Sequence, residues 1–130
     1  MLLLDHVSIT VKDLAGACDF YKAVMSALGA GIAYEESAAI GFGERNTPGD
    51  HSHTYISIFE SPASSADPRR HWCFRASSME QGQQFYDLGI EAGGTCGGAP
   101  GFRDYHSGYY AAFLLDPEGN KIEAVFHGAT

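Results

Sequence analysis

The chain has 130 residues, 45% of them hydrophobic and 18% charged, which is the balance of one globular domain rather than of a disordered or fibrous segment. The formal net charge of −8, with eight basic residues scattered apart from Arg69-Arg70, argues against a nucleic-acid or anionic-membrane partner, since both reward clustered Lys and Arg.

From the N-terminus, MLLLDHV has no basic n-region and too short an apolar run for a signal peptide, and no stretch reaches transmembrane length. DHVSITV (5–11) alternates Val7, Ile9 and Val11 with His6, Ser8 and Thr10, the period-two pattern of a strand with unlike faces. Asp13 is placed as the N-cap of a helix predicted over 14–28, with Ala17, Phe20, Tyr21, Val24 and Leu28 at helical spacing and Gly29 as the stop. Short strands are predicted at 31–35, 38–42 and 54–59. The polar loop GERNTPGDHSH (43–53) contains an H-x-H pair, His51 and His53, read as flexible-loop residues because Pro48-Gly49-Asp50 mark a turn. SPASSADPRR (61–70) reads as a connector.

The order then begins again. HWCFRA (71–76) is a strand, Ser77-Ser78 caps a helix over 79–92, and Gly93-Gly94 stops it. The Gly-rich 94–101 predicts a short strand, 109–115 another, and DPEGN (116–120) a tight turn into a last strand at 121–126. His6 precedes Phe20-Tyr21 by fourteen residues and His71 precedes Phe85-Tyr86 by the same fourteen. The histidines, the FY pairs, and Gly29 with Gly94 all stand 65 residues apart. This predicts one domain over 1–130 built of two βαβββ modules, about 1–61 and 70–127, joined by a linker at 62–69.

Strand phase groups the polar residues. Trp72, Phe74 and Ala76 form one face, which leaves His71, Cys73 and Arg75 on the other; Ile122, Ala124 and Phe126 likewise oppose Glu123, Val125 and His127. In the matching strand of the first module, Ile56 and Ile58 oppose Tyr55, Ser57 and Phe59. Two modules facing each other would enclose a cavity whose lining includes His6, His71 and Glu123. Two imidazoles and a carboxylate are the ligand set of a mononuclear divalent metal site with open positions, as a catalytic metal requires. In GFRDYHSGYY (101–110), Arg103, Tyr105, His106 and Tyr109 gather cationic and hydrogen-bonding groups at the expected cup mouth, with Arg103 suited to a substrate carboxylate or phosphate. Tyr55 and Tyr109 are candidate polar groups of the pocket, and Cys73 faces it. Three widely spaced cysteines without a CxxC pair fit free thiols in a reducing cytoplasm.

The stretches LLDHVSITVKDLAGACDFY, HWCFRASSMEQGQQFYDLGIEAGG and YYAAFLLDPEGNKIEAVFH resemble the vicinal oxygen chelate superfamily of glyoxalase I, extradiol dioxygenases, epimerases and bleomycin- or fosfomycin-resistance proteins. The resemblance spans most of the chain and implies an α+β glyoxalase-like fold, in which paired βαβββ modules make a cup-shaped, eight-stranded mixed sheet. It places His6, His71 and Glu123 on three metal-ligand positions. It also places Ser57 where glyoxalase I-like members supply a fourth, carboxylate ligand, and Phe113 where extradiol dioxygenases carry a tyrosine. What it implies is a cytoplasmic, homodimeric, metal-dependent lyase, isomerase or dioxygenase. Such an enzyme chelates a small oxygenated substrate on Zn, Ni, Mn or Fe(II). The alternative is a non-catalytic small-molecule-binding or antibiotic-resistance-type protein of the same fold.

Overall fold

The alternating segment at the N-terminus forms β1 (His6–Val11), with Ile9 and Val11 buried and His6 exposed on the opposite face. In the computed structural model, which describes residues 1–129, nine further elements follow. They are α1 (Leu14–Ala27), β2 (Ile32–Glu36), β3 (Ala39–Gly43), β4 (Tyr55–Glu60), β5 (His71–Arg75), α2 (Met79–Glu91), β6 (Thr95–Phe102), β7 (Tyr109–Leu115) and β8 (Lys121–His127). Both helices begin on a side-chain cap: Asp13 accepts from the Gly16 N–H at 3.1 Å and Ser78 from the Gln81 N–H at 3.0 Å. The stretch expected as a short strand after the second helix is longer than that. β6 runs eight residues and changes register at Cys96/Gly98 and again at Gly98/Gly101, where glycines let the strand bulge.

The strands make two four-stranded mixed sheets of matching order, β1-β4-β3-β2 and β5-β8-β7-β6, each with one parallel pair (β1 with β4, β5 with β8). This is the glyoxalase-like α+β architecture the sequence resembles. The apolar faces of both sheets meet the helices, and α1 packs on α2. One hydrophobic cluster therefore runs from Val11, Ile40 and Ile58 through Phe20 and Phe85 to Leu114 and Ile122. Each of these fully buried side chains contributes about 1.5–3 kcal/mol of transfer free energy. Gly89 permits the close helix approach: a Cβ there would lie 2.4 Å from Leu114 Cδ1 and 2.9 Å from Val24 Cγ1. With the apolar faces consumed, the opposite faces carry the histidines. No helix among the described residues is long and apolar enough to cross a membrane.

The DPEGN turn between β7 and β8 does more than reverse the chain. Asp116, 2% exposed, accepts from the Tyr21 hydroxyl of α1, from the Glu118 and Asn120 N–H groups (2.8 and 2.9 Å) and from Asn120 Nδ2 (2.8 Å). Asn120 Nδ2 also donates to the Thr10 carbonyl of β1 at 3.2 Å. The Glu118 carboxylate accepts the N–H groups of Lys12 and Asp13 at 2.6 and 2.8 Å, at the start of α1. A turn of the second half thus fastens a strand end and a helix start of the first, and burial beside Asp116 pushes the Tyr21 phenol well above its usual range. In urea denaturation Tyr21→Phe is expected to cost about 1.5–3 kcal/mol, the size of a hydrogen bond to a charged group. Asp116→Ala should cost more, because it orphans several donors at once, and adding Tyr21→Phe to it should change little. Unchanged stability of Tyr21→Phe would show that the turn does not hold the halves together.

Candidate functional site

On the first sheet, His6 is built into a supported position. Asn46 Nδ2 donates to Asp5 Oδ1 at 2.8 Å, and the His6 Nδ1–H donates to Asp5 Oδ2 at 2.6 Å. Those two contacts hold the Asp5 carboxyl below its ordinary range. With Nδ1 engaged by a carboxylate, Nε2 is the ring nitrogen left for another partner. The ring stacks on Tyr55 (centroids 4.9 Å apart, 12° between planes), its register partner on β4. Arg45 lies 5.5 Å from the Tyr55 ring and 4.4 Å from that of Tyr34. Ser57, aligned with the fourth ligand position of glyoxalase I-like proteins, is buried, and its Oγ accepts from the Tyr34 hydroxyl at 2.6 Å.

The loop at 43–53, expected to be flexible, is cross-braced. His53 donates its N–H to Asn46 Oδ1 at 2.9 Å, and its ring meets Glu44 at 2.9 Å and Asp50 at 3.0 Å. The acids on either side supply this; the H-x-H spacing does not.

The second sheet carries the stronger grouping. Glu123, only 3% exposed, faces His71 Nε2 at 3.2 Å through Oε1 and accepts the Tyr109 hydroxyl at 2.6 Å through Oε2. Burial, then Glu123, pushes the Tyr109 phenol up, so it stays a donor at neutral pH. Phe113 is the register partner of Glu123, and its ring lies 6.3 Å from His71. Tyr105 packs edge-on against Tyr109 (4.9 Å), as does His106 (5.3 Å). His106 Nε2 lies 2.9 Å from His127 Nδ1. Arg103 lies over Phe113 and donates to the Ala99 carbonyl at 2.7 Å.

His71, Glu123, Cys73, Arg103, Tyr105, His106, Tyr109 and Phe113 therefore belong to one face, whereas His6, Tyr55 and Ser57 belong to the other sheet. Among the described residues, no three His, Cys, Asp or Glu side chains come together in a metal-holding group. Trp72 Nε1, donating to the Ser8 carbonyl at 3.3 Å, links the two sheets near their first strands. Strand phase already puts His127 on the face of Glu123, and Lys121 shares that parity without being singled out by it; Arg45 sits in a loop, and the place of Tyr34 depends on the β2–β3 pairing.

A profile of the Glyoxalase/Bleomycin resistance protein/Dioxygenase superfamily matches residues 3–124. The chain belongs to that superfamily. A glyoxalase/bleomycin resistance protein from Albidiferax ferrireducens T118 is 31% identical, with 96% of this chain and 98% of that one covered and a TM-score of 0.79. A glyoxalase/bleomycin resistance protein/dioxygenase family enzyme from Burkholderia phytofirmans PsJN is 20% identical (95% and 98% covered, TM-score 0.70). The fosfomycin resistance protein FosX from Listeria monocytogenes is 18% identical (99% and 95%, TM-score 0.67). These last two share the fold. No curated protein matches the sequence.

Within this glyoxalase-superfamily site, the Cys73 thiol is pushed up to about 12, first by the burial of its surroundings and then by Glu123 across the β5–β8 pair. In a Cys18→Ser, Cys96→Ser background, alkylation of the exposed Cys73 by iodoacetamide at neutral pH is expected to run slower than that of a free thiol. Glu123→Gln should speed it, since removing the negative charge lowers the thiol's pKa. A rate equal to that of free cysteine would contradict this electrostatic picture.

Proposed function

We propose that this superfamily member is a metal-dependent enzyme acting on a small oxygenated organic molecule, with His6, His71 and Glu123 holding one divalent ion, Zn, Ni, Mn or Fe(II). The observation that carries it is Glu123. A carboxylate 3% exposed, partnered by an imidazole at 3.2 Å and a neutral phenol at 2.6 Å, is a costly group to bury without a cation. The donor set fits a divalent metal: His71 Nε2 and Glu123 Oε1 already converge, and His6 offers Nε2 with Nδ1 braced by Asp5. Because one chain does not group all three, we place His6 of one copy beside His71 and Glu123 of a second in a homodimer.

When bound, such a metal would polarise substrate oxygens as a Lewis acid. The chain's own residues prepare the site. Tyr109 fixes Glu123 by its Oε2, which leaves Oε1 toward His71, and keeps its own proton as a hydrogen-bond donor. Phe113, the register partner of Glu123, puts an aromatic ring beside the His71–Glu123 pair. A second reading, a binding or resistance-type protein without a reaction, is favoured by Ser57, whose hydroxyl is engaged by Tyr34 and supplies no fourth ligand.

Metal titration of untagged protein, followed by elemental analysis, tests this. One equivalent per chain is expected, with His71→Ala and His6→Ala each weakening affinity about 10–100-fold or more. Refolding the two variants together should restore one intact site per mixed dimer, because each contributes the half the other lacks. A His6→Ala, His71→Ala protein that keeps a full equivalent would sink the assignment; a wild-type chain that takes up none would favour the binding protein.

A further inference from the structure

Two cations of the second half, Arg103 and Lys121, share one aromatic ring. The Arg103 guanidinium carbon lies 5.6 Å and the Lys121 ammonium 4.9 Å from the centroid of the same ring, Phe113. Neither takes part in an ion pair among the described residues. Among the described residues only Lys22 of the Lys and Arg side chains forms an ion pair, so what sets Arg103 and Lys121 apart is that both lie over one ring.

Their placement is built rather than incidental. Arg103 is half-buried, and its Nη2 is tied to the Ala99 carbonyl at 2.7 Å. A Cβ on Gly98 would lie 3.2 Å from Arg103 Nη2 and 3.0 Å from Phe113 Cδ2, and one on Gly101 would lie 3.2 Å from Nη1. The glycines of β6, and the register shifts they permit, are what let the guanidinium lie over Phe113. Lys121 is the register partner of His71 and stands two residues before Glu123, while Phe113 pairs with Glu123 itself. The cations are therefore one strand step from the His71–Glu123 pair. With Nη2 on the Ala99 carbonyl and Nη1 at 3.5 Å from the Phe102 carbonyl, the Arg103 fork keeps further N–H groups, and Lys121 adds a point charge over the same ring. An oxyanion meets both through charge-assisted hydrogen bonds.

We propose that Arg103 and Lys121 form an anion subsite, and that the substrate is an organic acid. Its carboxylate or phosphate group lies across Phe113 while neighbouring oxygens face His71 and Glu123. The placement of those oxygens rests on the metal reading above; the anion subsite does not.

Oxalate and inorganic phosphate, each titrated into chelator-treated full-length protein and followed by amide chemical shifts of residues 71–75 and 113, separate the two. Saturable binding is expected, weakened about tenfold or more by Arg103→Gln and by Lys121→Gln, partly rescued by Arg103→Lys, and unchanged by Arg69→Ala in the connector. Preference for oxalate identifies a carboxylate and preference for phosphate a phosphate ester; either supports the subsite. Equal binding of oxalate and its neutral dimethyl ester, or binding unaffected by both glutamine variants, would overturn it. Metal stoichiometry of the same variants is measured separately. A Lys121→Gln protein that loads metal normally but loses oxalate isolates the anion subsite. Wild-type protein that binds oxalate through Arg103 and Lys121 yet takes up no metal leaves the subsite standing and removes the metal reading alone.

Discussion

Asp116 is the constraint on which the arrangement of the two halves depends. It is a carboxylate almost wholly out of solvent, and every hydrogen bond it accepts comes from a group the chain must bring to it. Three of the donors lie within its own turn, so the DPEGN segment is rigid by itself. The fourth is Tyr21, on the helix of the other half, and this makes the turn a link between modules. Glu118 and Asn120 extend the link to the start of α1 and the end of β1. Apolar packing of α1 on α2 supplies more free energy, but it is non-directional. The hydrogen bonds at this turn set the register in which the helices meet, and hence where the exposed sheet faces lie.

Those faces follow from strand arithmetic. Once Val7, Ile9 and Val11 point into the helix layer, His6, Ser8 and Thr10 point away, and the same holds for β5 and β8. The second face is the more elaborate. Tyr109 buttresses Glu123, while Tyr105 and His106 pack edge-on against Tyr109, with His127 stacked on His106 behind. The carboxylate is thus anchored through Tyr109, which is itself packed among aromatic rings. A ligand held by Glu123 meets a preorganised group rather than a mobile one.

Most of the element order was legible from the sequence, because each signal was local. Asp13 and Ser78 are caps that act within three residues, and the alternation in DHVSITV and HWCFRA needs no knowledge of neighbours. The shared fourteen-residue spacing of His6 and His71 to an FY pair also made the repeat visible. What stayed hidden depends on long-range pairing. DPEGN reads as a turn, yet its partners Thr10, Lys12 and Tyr21 are about a hundred residues away. The length of β6 was underestimated because its glycines, poor strand formers, are retained for room beside Phe113 and Arg103. Glu123 was placed by parity on the site face, but its burial comes from Tyr109 and β7, which parity does not reveal. Lys121 shares the parity of Glu123, but its resting place on Phe113 depends on the β7–β8 pairing, which parity does not reveal.

Charge on the second face is separated in a way that the protein alone does not resolve. Glu123 is buried against neutral or weakly basic partners, while Lys121, two residues earlier on the same strand face, rests on Phe113 instead of pairing with it. A direct Lys121–Glu123 ion pair would relieve both groups, and their strand spacing puts them on one face within reach of long side chains. Keeping them apart costs stability, since Glu123 is desolvated with only an imidazole and a phenol as partners and Lys121 rests on an aromatic ring. On the reading proposed above, a cation at Glu123 and an anion at Lys121 and Arg103 would offset that cost, and each would raise the other's affinity by completing the neutralisation. The same face would bind a neutral oxygenated molecule poorly, because the cations over Phe113 would be desolvated with nothing to pair them.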